Sequence, residues 1–126
     1  MNILITGSEG FVGKNLVNLF LLDGYNVFSP TVVELDLTDF DSVSSYFDEN
    51  TIDVIVHSAT TLRNGTNYPL DTCENNLKMF FNLAHMAGSK IKLINFGSGS
   101  EYSRGFWHKK MHEDFFGTNI PKDSLG

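Results

Sequence analysis

Apolar residues fall in short clusters divided by polar turns, and their spacing changes from cluster to cluster. Residues 2–6, NILIT, form an apolar run that ends at Gly7 and predicts a buried strand. From residue 11 to 22 the apolar positions are 11, 12, 16, 17, 19, 20, 21 and 22, which is helical spacing, and Asp23-Gly24 supplies a glycine stop. Residues 25–28 predict a second strand, stopped by Ser29-Pro30, and residues 31–36 are expected to be extended. Six residues separate Phe28 from Leu35, too few for a helical crossover between parallel strands, so no helix is expected there. Thr38 or Asp39 is placed to cap a helix running to about Glu49. Residues 53–57, DVIVH, predict another buried strand, and a loop rich in Thr, Asn and Gly follows through Pro69. Residues 70–88 predict a long helix stopped by Gly88, and residues 91–96 a further strand ended by the turn Gly97-Ser98-Gly99-Ser100. No periodicity is evident from Glu101 onward. The order strand-helix-strand-loop-helix-strand-helix-strand predicts an α/β fold, a doubly wound parallel sheet with helices on both faces and right-handed crossovers. No internal repeat or linker divides residues 1–126, so a single domain is expected.

Between the first strand and the first helix lies Gly7-Ser8-Glu9-Gly10-Phe11-Val12-Gly13, a GxxGxxG turn. Gly7 suits a tight exit from the strand, Gly10 a close approach of backbone to a pyrophosphate, and Gly13 a helix packed against the sheet with no Cβ in the way. The amides at Phe11 and Val12 then face an anion with the positive end of the helix dipole. A Gly-rich turn without a ligand is the plain alternative, and the strand-turn-helix setting argues against it. No Gly-Lys-Ser/Thr follows, which excludes a P-loop.

Composition narrows the field further. The formal net charge of −6 speaks against nucleic acid and anionic membranes as partners. One cysteine, Cys73, excludes an internal disulfide and a Cys-rich zinc site. His108 and His112 share helical spacing but have no third ligand, so a solvated loop is the better reading. Eleven Phe residues suggest a Phe-rich core. No apolar run is long enough to span a bilayer, and the opening strand leaves no room for a secretory signal; a cytoplasmic location is the expectation.

The TGSEGFVG stretch resembles the TGxxGFxG fingerprint of the extended short-chain dehydrogenases, the family of nucleotide-sugar epimerases, dehydratases and reductases. Asp36-Leu37-Thr38-Asp39 resembles that family's DLTD stretch, whose first acid contacts the adenine. His57-Ser58-Ala59 is similar to its HxAA turn along the cofactor, His57 itself reading as a structural histidine. Glu74-Asn75-Asn76, with Asn82, resembles its ExN…N helix, in which Asn76 would steady the active-site backbone. Phe96 to Tyr102 is similar to the strand end that supplies the catalytic Ser or Thr. The run from Asn67 to Asn76 is similar to the GDP-fucose synthase type, and Ser100-Glu101-Tyr102 to the dTDP-4-dehydrorhamnose reductase type. The likeness extends from Met1 to about Tyr102.

The resemblance implies a Rossmann-like domain that holds NAD(P) through Gly7, Ser8, Gly10, Phe11, Val12, Gly13, Ser29, Asp36, Leu37, Ser58, Ala59 and Asn76. Aligned on Tyr102, the catalytic position falls on Gly99 in one type and on Ser100 in the other; Ser100 is preferred, with Ser98 second. The family's Tyr-x-x-x-Lys pair is missing: the four tyrosines are followed four residues later by Ser29, Asn50, Thr72 and Phe106. The chain is therefore expected to stop before the helix carrying that pair and before the substrate lobe. It reads as the incomplete cofactor half of a nucleotide-sugar enzyme, or alternatively as a non-catalytic NAD(P)-binding sensor or partner module. Arg63, in the loop after DVIVH, is either a phosphate contact or a solubilising charge. No acid or arginine ends the second strand, and by resemblance the lean is toward NADP. A face of Met79, Phe80, Leu83 and Met86, left without its usual cover, is expected to form a homodimer, unless the Phe-rich tail folds over it.

Overall fold

Strand β1 (Asn2–Thr6) sends alternate side chains into two apolar layers, and the sheet is built on that division. Ile3 and Ile5 join Val56 of β3 (Val54–His57) in one layer, covered by Leu16, Val17 and Phe20 of helix α1 (Phe11–Leu22). Leu4 joins Ile55 in the other, under Val43 of α2 (Phe40–Glu49) and Met79, Leu83 and Ala87 of α3 (Thr72–Ala87). This is the period-two alternation of strands meeting the wider stripe of helices. The computed structural model describes residues 1–122; residues 123–126, the end of the aperiodic tail, lie outside the described residues.

With β2 (Asn26–Phe28) and β4 (Lys92–Asn95) the strands form a parallel sheet ordered β2-β1-β3-β4. Thr6 stands opposite His57, and His57 opposite Asn95. The chain leaves β1 outward to β2 and later returns to the other side of β1 for β3. The direction of winding therefore reverses between the carboxyl ends of β1 and β3, where doubly wound sheets bind ligands. The fold is Rossmann-like, as the order of elements predicts.

The described chain divides into two compact units. The first comprises Met1–Thr60 and Glu74–Phe96 and holds the sheet; the second comprises Thr61–Cys73 and the chain from Gly97 onward. In the second, short 3₁₀ turns at Gly99–Glu101, Arg104–Phe106 and Glu113–Phe115 occupy the aperiodic tail. No helix among the described residues is long and apolar enough to cross a membrane.

Four expectations are corrected. Residues 31–36 are a turn, because the Glu34 carboxylate accepts from the Thr31 amide (2.7 Å) and hydroxyl (2.9 Å) while the Leu35 amide returns to the Thr31 carbonyl. Local side-chain bonding of this kind outcompetes an extended strand. The α3 face of Met79, Leu83 and Met86 is not stripped of cover, since it packs onto the sheet; the exposed apolar residues are Leu77 and Phe81, with Phe80 turned edge-on to Phe81. Nor is the core rich in Phe: seven of the eleven are exposed, and the fully buried apolar residues are Ile, Leu and Val. The long helix also starts at Thr72, two residues late, because Thr72 closes a turn onto the Pro69 carbonyl.

One buried polar pair ties β1 to β3. Thr6 Oγ1 and His57 Nδ1 share a hydrogen bond of 2.7 Å, and both residues are buried. Burial disfavours the imidazolium and pushes the His57 pKa down from 6.5 to about 4. The unfolded chain therefore binds the extra proton first as pH falls. The stability from neutral His57 is complete above about 6.5 and lost progressively down to about 4, a span worth roughly 3 kcal/mol. Urea unfolding at pH 7 and pH 4.5 is expected to show a larger acid loss in wild type than in His57→Asn, whose amide nitrogen replaces Nδ1. Equal losses in the two proteins would contradict this role.

Candidate functional site

The glycine turn after β1 is compressed where two of its glycines meet other backbone. Gly7 has φ 71°, and a Cβ there would lie 2.7 Å from the Ala59 amide nitrogen. A Cβ on Gly13 would overlap the Gly7 carbonyl oxygen and come within 2.7 Å of Ser8 Cα. The Gly13 requirement is thus the fit of α1 onto its own entry turn rather than onto the sheet. Gly10 differs. Its amide donates to the Gly7 carbonyl (3.0 Å), its φ of −78° suits any residue, and a Cβ there would meet only that carbonyl, at 3.3 Å.

Gly10 is also the N-cap of α1 and offers no side chain to its first amides. Phe11 and Val12 are exposed, and no acid occupies the first turn. The positive end of the helix dipole is therefore uncovered at the switch point of the sheet. Around it the carboxyl ends of three strands are bonded together. Ser8 Oγ donates to the Ser29 carbonyl just past β2 (3.3 Å), and Ser58 Oγ, just past β3, donates to the Thr6 carbonyl (2.8 Å). Gly7, Ser8, Gly10, Phe11, Val12, Gly13, Ser29, Ser58 and Ala59 are accordingly gathered in one place.

An open pocket of about 320 Å³ lies at the end of β2, lined by Val27, Phe28, Ser29, Pro30, Glu34 and Tyr46. Desolvation and the negative charge of Glu34 raise the Tyr46 phenol pKa, while the Thr31 bonds lower that of Glu34. A larger cavity of about 700 Å³ lies at the opposite end of the sheet, between Ile52 and the turn at Gly88, and contains none of the expected residues.

Asp36 and Leu37 are fixed by structural bonds. Asp36 Oδ1 accepts from the Thr38 hydroxyl (2.7 Å) and amide (2.9 Å), which lowers its pKa. Leu37 buries its side chain in the core, and its carbonyl accepts from Asn82 Nδ2 of α3 (2.9 Å). Asp39, of the two cap candidates, caps α2 by accepting from the Asp41 amide. Asn76 Oδ1 accepts from Thr60 Oγ1 (3.3 Å) and so contacts the segment leaving β3.

The second unit holds the two candidate serines. Ser98 Oγ accepts from the Ser100 amide (3.2 Å) and acts as the cap of the turn. Ser100 is buried, and its hydroxyl oxygen accepts from Arg104 Nη2 (2.8 Å). Arg104 escaped the sequence reading, because a 3₁₀ turn rather than a periodic helix brings it back to Ser100. Arg63 lies over the Tyr68 ring at 4.7 Å, and the His108 ring sits against Phe115. Among the described residues no group of three or more His, Cys, Asp or Glu is placed to hold a metal ion.

A family model, the NAD dependent epimerase/dehydratase family, matches residues 3–119. The GDP-L-fucose synthase of Azorhizobium caulinodans is 30% identical over 105 residues, covering 79% of this chain and 34% of the relative. The GDP-L-colitose synthase of Yersinia pseudotuberculosis is 30% identical over 109 residues, covering 82% and 35%. Among solved structures, a GDP-D-glycero-L-gluco-heptose synthase from Campylobacter jejuni in the presence of NADPH is similar with a TM-score of 0.81 at 25% identity, covering 94% of this chain and 36% of that one. The chain spans about a third of the length of these relatives. A parallel sheet wound about a compressed glycine turn and a match along nearly the whole sequence agree: this chain belongs to the NAD dependent epimerase/dehydratase family.

Proposed function

We propose that residues 1–126 form the nicotinamide-dinucleotide-binding part of a nucleotide-sugar epimerase, dehydratase or reductase. The observation that carries this reading is the uncapped end of α1, held by the Gly7–Gly13 fit beside the ends of β2 and β3. Backbone amides at Phe11 and Val12 suit a pyrophosphate, and Gly10 leaves it room. Ser8 and Ser29 line the next stretch of the same rim. Ser58 and Ala59 lie beside Gly7, Asn76 contacts the segment after them through Thr60, and Asp36 and Leu37 are the proposed neighbours of an adenine. A bound nicotinamide supplies hydride transfer, which no side chain does.

For the whole enzyme the proposed substrate is a nucleoside-diphosphate 4-keto or hydroxy sugar; the relatives' names carry the GDP sugars GDP-L-fucose and GDP-L-colitose. Ser100 is the proposed catalytic serine: with its oxygen accepting from Arg104, its own proton is left to donate to a substrate oxygen. A second reading is a non-catalytic module that binds the dinucleotide as a sensor or partner subunit. Either reading fits a cytoplasmic protein. Self-association is retained as part of the proposal, now through the exposed Leu77 and Phe81 of α3.

Gly10→Val puts methyl groups where the phosphates approach. It is expected to weaken NADH or NADPH binding by roughly tenfold or more, at a folding cost near 1 kcal/mol. Gly13→Ala, by contrast, is expected to lose on the order of 3 kcal/mol or more of stability, since backbone must move. Titration calorimetry and urea unfolding separate the two, and unchanged affinity in Gly10→Val would contradict the proposal. The 126-residue chain alone is expected to show no turnover of a nucleotide 4-keto-sugar, because the acid-base pair worth about 10²–10⁴-fold is absent. Hydride transfer followed at 340 nm would overturn that. Light scattering at micromolar concentration is expected to show a dimer that Phe81→Asp dissociates; a monomeric wild type would remove that part of the proposal.

A further inference from the structure

Residues 61–70 carry one charged side chain, Arg63, and beside it the exposed step Asn64-Gly65. Asn64 and Asn67 face each other in an isolated antiparallel bridge, so Gly65 and Thr66 are the central pair of a tight turn. Gly65 has φ 65°, and among the described residues no residue but glycine has a positive φ, so Thr66 is not left-handed. That is the II′ pattern, whose first central amide takes no part in the turn's own bonding. Among the described residues neither the Gly65 amide nor the Asn64 carboxamide has a hydrogen-bond partner elsewhere. A Cβ built on Gly65 meets nothing within 4 Å, so the space around its nitrogen is open. The bridge is also uneven. The Asn64 amide donates to the Asn67 carbonyl at 2.9 Å, but the return bond is 3.4 Å, beyond the usual range. The Asn64 carbonyl is therefore weakly held, and rotation there brings the Gly65 nitrogen toward Asn64 Cγ. No other asparagine precedes a glycine. The one comparable acid step, Asp23-Gly24, is tied down, because the Gly24 amide donates to the Leu21 carbonyl at the end of α1 (3.1 Å).

We propose that Asn64 is a site of spontaneous deamidation. The Gly65 nitrogen attacks Asn64 Cγ, the bond from Cγ to Nδ2 breaks, and the proton shed by the Gly65 amide leaves with Nδ2 as ammonia. Water then opens the resulting succinimide at either carbonyl. One opening gives aspartate; the other gives isoaspartate, in which the backbone runs through the former side chain. Water is the sole co-reactant, and nothing is oxidised or reduced. Glycine favours the step because the attacking residue brings no Cβ against the forming ring. Either product sets a carboxylate next to Arg63, whose guanidinium lies over the Tyr68 ring at 4.7 Å. Residues 61–70 thereby pass from one positive charge to a balanced pair. Isoaspartate also lengthens the backbone between Asn64 and Gly65, which puts the Asn64–Asn67 bridge out of register. The inference is independent of the dinucleotide reading.

Peptide mapping by mass spectrometry, during incubation of the folded 126-residue chain at about 37 °C and about pH 8, tests it: the fragment holding Asn64 is expected to gain about 1 Da. The gain is expected to be roughly tenfold or more faster than at any other asparagine among the described residues. Isoaspartate in that fragment is read separately, by enzymatic methylation of its free carboxylate. A synthetic peptide of residues 61–70, which has no fold to restrain it, sets the reference rate, and the folded chain is expected to come within about tenfold of it. Asn64→Gln needs a larger ring and is expected to abolish the gain. Circular dichroism checks that wild type and variant stay folded throughout, and since residue 64 is exposed and outside the sheet the variant is expected to fold as wild type does. A folded chain that converts more than about tenfold more slowly than the peptide overturns the inference, because the turn then protects the step. So does a gain that appears first at another asparagine, or one that persists at the same rate in Asn64→Gln.

Discussion

The close fit of Gly13 over the Gly7 carbonyl is the contact on which the arrangement depends. Because neither residue carries a Cβ, the chain can leave β1, reverse, and start α1 within the same few residues. Gly7 is meanwhile pressed against the backbone at Ser58 and Ala59, so the exit from β3 is held against the exit from β1. The helix end is thereby fixed at the switch point of the sheet. The anion-attracting amides of α1 are a by-product of this packing, because Gly10 at the cap has no side chain to occupy them.

Polar bonds fix the same corner in a second way. Thr6 is bonded through its side chain to His57 and through its carbonyl to Ser58, so the last residue of β1 is tied to the last of β3 and the first beyond it. Ser8 extends the tie to β2. Buried polar groups that find partners in this way hold one register of the sheet and leave no unmatched donor or acceptor in the low-dielectric interior. Among the described residues no buried side-chain nitrogen or oxygen lacks a partner.

Much of this was legible in the sequence. The NILIT and DVIVH runs, the helical spacing after Gly10 and the stop at Gly24 place β1, β3 and α1, because buried strands and amphipathic helices differ in period. The glycine turn was legible as a strand-to-helix turn without room for side chains, although the contact that excludes a Cβ at Gly13 is with the turn and not the sheet. What was missed turns on bonds between side chain and backbone, which leave no periodic trace. Thr31 and Glu34 convert an apparent strand into a turn, and Arg104 reaches Ser100 across a 3₁₀ turn. The α3 face was misjudged for a different reason: Met79, Phe80, Leu83 and Met86 are helically spaced, but spacing does not say whether a sheet or solvent lies beneath.

The central claim is that the uncapped end of α1 is where a nicotinamide dinucleotide meets this chain. Amide chemical shifts of the uniformly ¹⁵N-labelled protein, followed while the dinucleotide is added, address it most directly. The account predicts that the largest changes fall on Gly10, Phe11 and Val12, with smaller ones at Ser8, Ser29 and Ala59. Changes centred instead on the cavity between Ile52 and Gly88, with the glycine turn unmoved, would contradict it.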